Sequence, residues 1–90
     1  MKVHFLGLGG AGLSALAGWM VEHGYKVSGC DLAVNVRIEP LLDKGVQFEK
    51  GNSPDHITKD LDWLIHPNID QSHPEIQVAK KQGIKTSTYF

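Results

Sequence analysis

The sequence predicts a doubly wound α/β fold, with a five-stranded parallel sheet covered by helices on both faces. Three observations carry that prediction. Five short β-rich runs alternate with four helical patterns along the chain, joined by brief loops. A glycine cluster, Gly7 to Gly12, separates the first run from the first helix. An acid, Asp31, closes the second run nineteen residues after Gly12.

The elements follow in order. Lys2 to Leu6 is a short β-rich run that leads into the glycine cluster. Ala11 to His23 is a helix with Leu13, Leu16, Ala17 and Met20 on one face, stopped by Gly24. Trp19 lies off that face, and core packing is its default reading. Lys26 to Asp31 is the second strand, Arg37 to Lys44 a short helix closed by Gly45, and Val46 to Glu49 the third strand. Ser53-Pro54-Asp55 suits a brief helix start, because Leu61 to Ile65 already reads as the fourth strand, with Trp63 in the core. Ser72 and Glu75 have capping-box spacing and open a helix from about Pro74 to Gln82, ended by Gly83. Ile84 to Thr88 is the fifth strand.

The chain of 90 residues fits one domain over residues 1–90. Area scaling gives about 5,200 Å² exposed when folded against about 14,000 Å² unfolded, enough burial for one modest core without disulfides. Nine basic against ten acidic side chains give a formal charge of −1, which argues against a nucleic-acid surface. Cys30 is the single cysteine, so no intrachain disulfide forms, and a reducing, cytoplasmic setting is expected. No run approaches the ~20 apolar residues of a membrane span. The apolar stretch behind Lys2 is broken by His4 and glycines, unlike a signal peptide. The sequence stops just after its last strand without a polar tail, and reads as a domain taken from a longer protein.

Gly7-Leu8-Gly9-Gly10-Ala11-Gly12 satisfies G-x-G-x-x-G in the context the motif needs, strand before and helix after. The first glycine permits the tight turn, the second lets backbone approach a phosphate, and the third lets helix and strand pack closely. Helix N-terminal amides then favour a diphosphate, which makes Gly9, Gly10, Ala11 and Gly12 candidate contacts, with the Ser14 hydroxyl in the first turn. The bland alternative is a turn that binds nothing. Asp31 is placed to accept hydrogen bonds from ribose hydroxyls, or else caps the loop behind it. Asn52 after the third strand, and His66 and Asn68 after the fourth, stand at the sheet edge where ligands sit in such folds. Each is read equally well as an ordinary loop residue. His4, inside a strand, reads as a hydrogen-bonded structural histidine, and Cys30 as a small buried hydrophobe. No metal-ligand or nucleophile constellation is legible from spacing.

His4 to Ala17 resembles the opening of the Mur ligases, which begin with a strand, G-x-G-G-x-G-M-S and an alanine-rich helix. Gly24 to Asp31 is similar to the family's G-x-x-V-x-G-S-D, with Cys30 where serine is usual, and Leu13 stands for the usual methionine. Gly51-Asn52-Ser53 is similar to G-H-S without its histidine. His66-Pro67-Asn68-Ile69 stands where S-S-A-I is expected, and His73-Pro74-Glu75 resembles N-P-E. The resemblance implies a Rossmann-like N-terminal domain that holds the UDP portion of UDP-N-acetylmuramic acid. It further implies other domains of a parent ligase that use ATP and magnesium to add L-alanine in peptidoglycan precursor synthesis. This chain has no G-x-x-x-x-G-K-[S/T], so the fragment alone is expected to be non-catalytic, with no cofactor and no metal of its own. The competing reading is an NAD-binding domain of a dehydrogenase or a nucleotide sensor. A third is a partner-binding scaffold with a vestigial turn.

Overall fold

A computed structural model describes residues 1–51, 54–67 and 72–88. Five strands, β1 (Lys2–Leu6), β2 (Lys26–Asp31), β3 (Gln47–Lys50), β4 (Trp63–His66) and β5 (Lys85–Thr88), form one sheet in the order β3-β2-β1-β4-β5. Every pairing is parallel, in registers such as Phe5 opposite Gly29 and opposite Ile65. The helices are α1 (Ala11–Glu22), α2 (Glu39–Asp43) and α3 (Pro74–Lys81), with a single 3₁₀ turn at Pro54–His56.

Strand alternation divides the core in two. Val3, Phe5 and Val27 pack with Leu13, Ala17, Ile38 and Leu41 beneath α1 and α2. Leu6, Cys30 and Leu64 pack with Ile57, Ile76 and Ala79 beneath the 3₁₀ turn and α3. A parallel sheet buried on both faces follows, as the alternation of elements requires. The chain exposes 5173 Å², close to the value that scaling with mass predicts.

Strands β1 and β2 fall where expected, edges of β3, β4 and β5 move by one or two residues, and three readings change. The helix expected from Arg37 begins only at Glu39. Pro40 has no amide to donate to the Val36 carbonyl, so no regular ladder forms ahead of Glu39, while the Asn35 side-chain oxygen accepts the Arg37 and Ile38 amides at 2.9 and 3.1 Å in an Asx turn. Helix α3 is capped by His73 rather than Ser72, with Nδ1 accepting the Glu75 amide at 3.2 Å. Trp19 is 53% exposed and stacks on His23 with ring centroids 4.0 Å apart, so it lies outside the core. Trp63 is partly buried against the first cluster, as expected, with the Lys85 ammonium 5.5 Å from its ring centre.

Candidate functional site

In an open parallel sheet, ligands bind at the carboxyl ends of the strands, where strand order reverses. Here β2 and β3 lie on one side of β1, and β4 and β5 on the other, so the reversal falls between β1 and β4. The glycine turn leaves β1 at that point, and Pro67 leaves β4 beside it. A Cβ built on Gly7 would stand 3.7 Å from the Pro67 ring.

The turn is held from below by β2. The amides of Gly7 and Leu8 both donate to the Cys30 carbonyl, at 2.9 and 3.0 Å. Gly7 sits at φ 78, a left-handed conformation that a side chain would strain, and its carbonyl accepts the Gly10 amide at 3.0 Å. Gly9 is required for a different reason. A Cβ there would fall 2.6 Å from Asp31 Oδ2 and 2.7 Å from Asn35 Nδ2. Those two side chains grip the residue: the Gly9 amide donates to Asp31 Oδ2 at 2.8 Å, and Asn35 Nδ2 donates to its carbonyl at 3.2 Å. The Arg37 guanidinium donates to the same carbonyl at 3.3 Å.

What remains open is the first turn of α1. Gly10 is its N-cap and has no side chain to satisfy the helix, and no acid lies in the first turn. The amides of Ala11, Gly12 and Leu13 have no acceptor among the described residues, whereas Ser14 already donates to the Gly10 carbonyl. Three unclaimed N–H groups at the positive end of a helix dipole form an anion site. A Cβ on Gly10 would meet nothing closer than the Gly7 carbonyl at 3.4 Å, so the approach is clear.

The expected site residues separate into groups. Gly9, Gly10, Ala11, Gly12 and Asp31 come together at the turn. Ser14 is there too, but its hydroxyl donates back to the Ala11 carbonyl at 3.1 Å. Asp31 keeps Oδ2 on Gly9 and Oδ1 on the Leu32 amide at 2.7 Å, leaving lone pairs on each oxygen for a further donor. His66 is only 2% exposed, and its Nδ1 must carry the proton, because it lies 2.8 Å from the Pro67 carbonyl, which can only accept. Asn52 and Asn68 lie outside the described residues. Asn35 and Arg37 were not legible as site residues. The one signal was an asparagine and an arginine just beyond Asp31, which fits any loop. A cavity of about 390 Å³ bounded by Lys2, Lys26 and Gln47 lies at the opposite, amino edge of the sheet, away from the turn.

The fold and turn define a Rossmann-like α/β domain with an anion-receptive helix N-terminus. The Mur ligase family, catalytic domain, matches residues 2–89, and the chain belongs to the Mur ligase family. It is 40% identical over 80 residues to the bifunctional enzyme MurC/Ddl of Chlamydia trachomatis, which covers 89% of this chain and 10% of that protein. It is 36% identical over 83 residues to the UDP-N-acetylmuramate–L-alanine ligase of Aquifex aeolicus, covering 92% of this chain and 18% of the relative. Among solved structures, the UDP-N-acetylmuramate–alanine ligase of Thermotoga maritima superposes with a TM-score of 0.87 at 30% identity, over 98% of this chain and 20% of that one. A murein peptide ligase of Psychrobacter arcticus gives 0.88 at 22% identity, over 97% of this chain and 18% of that one, a likeness of fold. The chain therefore spans less than a fifth of the curated relatives it matches.

Proposed function

We propose that this chain holds the UDP portion of UDP-N-acetylmuramic acid for an ATP-dependent, amide-forming ligase that adds L-alanine to it. The observation that carries the reading is the set of three amides at Ala11, Gly12 and Leu13 that have no acceptor among the described residues, with the Arg37 guanidinium on the neighbouring Gly9 carbonyl. A diphosphate supplies the negative oxygens those donors lack, and Asp31 stands beside it with spare acceptor capacity for a ribose hydroxyl. The UDP-N-acetylmuramate–L-alanine ligases to which most of this chain is similar support the choice of sugar nucleotide and amino acid. ATP and magnesium belong, in this reading, to parts of the ligase that these 90 residues do not span, because no phosphate-binding loop with its lysine occurs in the sequence. Cys30, a buried thiol and the single cysteine of the sequence, suits a reducing cytoplasm. No helix among the described residues is long and apolar enough to cross a membrane.

The test is a titration of the ¹⁵N-labelled chain with UDP-N-acetylmuramic acid, UDP and NAD, followed by amide chemical shifts. The amides of Ala11, Gly12 and Leu13 should move most, and the uridine nucleotides should saturate at lower concentration than NAD. Saturation first by NAD would establish the dehydrogenase-like reading. Turn amides that none of the three ligands moves would leave a scaffold.

A further inference from the structure

The face of the sheet beneath α3 carries polar side chains where alternation calls for apolar ones. His4 on β1 and Cys30 on β2 both point to that face, and the 3₁₀ turn and α3 bring His56 and Glu75 onto them. His4 is 1% exposed, Glu75 is fully buried, and His56 is 12% exposed. One donor atom from each of the four lies within 4.8 Å of every other. Two of these atoms, His4 Nε2 and His56 Nδ1, are buried without a hydrogen-bond partner among the described residues. A buried imidazole nitrogen left unsatisfied is costly, so its retention calls for an explanation.

We propose that His4, Cys30, His56 and Glu75 form a closed tetrahedral site for a zinc-class divalent transition metal. The distances fit a metal better than they fit the hydrogen bonds of a charged pair. His4 Nε2 and His56 Nδ1 stand 3.5 and 3.3 Å from the two Glu75 oxygens, and Cys30 Sγ stands 3.4 Å from each. A buried imidazolium–carboxylate pair closes to roughly 2.7–2.9 Å. Tetrahedral zinc with ordinary bond lengths separates N and O ligands by about 3.4 Å, and S and O ligands by about 3.6 Å. The remaining donor pairs lie within 4.8 Å of one another, so the side chains close further onto the ion when it binds.

The outer nitrogens are arranged as a metal site needs. His4 Nδ1 lies 2.8 Å from Ser28 Oγ, which can accept its proton and leave Nε2 bare toward the cluster. His56 Nε2 faces the Glu49 carboxylate at 3.4 Å, which can fix the opposite tautomer and leave Nδ1 bare. An imidazole oriented by a carboxylate behind it is the usual support for a metal-bound histidine. Thiolate and imidazole ligands select zinc-like ions over magnesium or calcium. Four protein ligands, three of them buried, leave no open position, so the ion is structural. It would tie α3 and the 3₁₀ turn to β2 at Cys30, the residue whose carbonyl holds the Gly7 and Leu8 amides.

The test uses the chain stripped of metal with a chelator. Zinc followed by calorimetry should bind once per chain, and cobalt should give the intense visible bands of a tetrahedral ion with a thiolate charge-transfer band in the near ultraviolet. Cys30→Ser should abolish the charge-transfer band. His56→Ala, on a surface turn, should weaken zinc at least tenfold and carries the test if Cys30→Ser fails to fold. Glu49→Ala, in an exposed second layer, should weaken it by roughly tenfold. No stoichiometric binding, a six-coordinate cobalt spectrum, or zinc binding unchanged in these variants would overturn the proposal. The last result would assign the metal to surface histidines.

Discussion

Replacing Gly9 with alanine tests how the turn is held. The new methyl would fall 2.6 Å from Asp31 Oδ2 and 2.7 Å from Asn35 Nδ2, closer than real Cβ contacts come, so both side chains must swing away. Their departure breaks the 2.8 Å bond from the Gly9 amide to a carboxylate and the 3.2 Å bond from Asn35 to the Gly9 carbonyl. A hydrogen bond to a charged group contributes about 1.5–3 kcal/mol, and a neutral one about 0.5–1.5 kcal/mol. Asp31 keeps partial access to water, which compensates part of its loss, so the expected destabilisation is about 2 kcal/mol. In a domain of this size that lowers Tm by roughly 8–16 °C. Gly10→Ala is the control, since its Cβ has room and its φ of −66 suits any residue, and it should cost no more than about 1 kcal/mol. Urea unfolding followed by circular dichroism gives the values. Asp31→Ala removes the acceptor and the closer of the two clashes, so the double variant should fall short of additivity by at least about 1 kcal/mol. A Gly9→Ala loss below about 0.5 kcal/mol, or strict additivity with Asp31→Ala, would refute the reasoning.

Two further outcomes follow from the charges. Arg37→Ala should weaken UDP binding by roughly 3–10-fold at low salt, with the gap narrowing at high salt, while stability stays within about 0.5 kcal/mol; calorimetry at two ionic strengths checks both. Burial foremost, then the Glu75 carboxylate, pushes the Cys30 thiol well above its ordinary value of about 9. Above that pH the unfolded chain releases the thiol proton while the folded chain keeps it. Stability of the metal-free protein is therefore full below about pH 9 and falls above it, by up to about 1.4 kcal/mol per pH unit from this group. Urea midpoints between pH 8 and 10 measure the slope, and Cys30→Ala should flatten it; an equal slope in that variant would assign the loss to other groups.

The glycine turn was legible because everything that forms it is local. Gly7 needs its left-handed φ, Gly10 sits where the helix starts, and Ala11 to Leu13 lose their acceptors simply by being the first residues of that helix. The same holds for strand and helix order, written in hydrophobic period and in the glycines at the ends of α1, α2 and α3. Asp31 was placed by its distance from Gly12, yet its grip on the Gly9 amide depends on β1 and β2 pairing side by side. Helix α2 starts late because Pro40 has no amide for a turn ahead of Glu39, and the Asn35 side-chain bonds to the Arg37 and Ile38 amides leave no trace in residue period. His4, Cys30, His56 and Glu75 come from four elements spread over most of the chain, at spacings that match no ligand motif. Their meeting requires β1 to lie between β2 and β4, a sheet order that local propensity does not set. It also requires α3 to turn Glu75 inward from a position its sequence marks only as the third residue of a cap. Hydrogen bonds to near neighbours and the period of burial are written along the chain, whereas the company a buried side chain keeps is decided when distant elements pack.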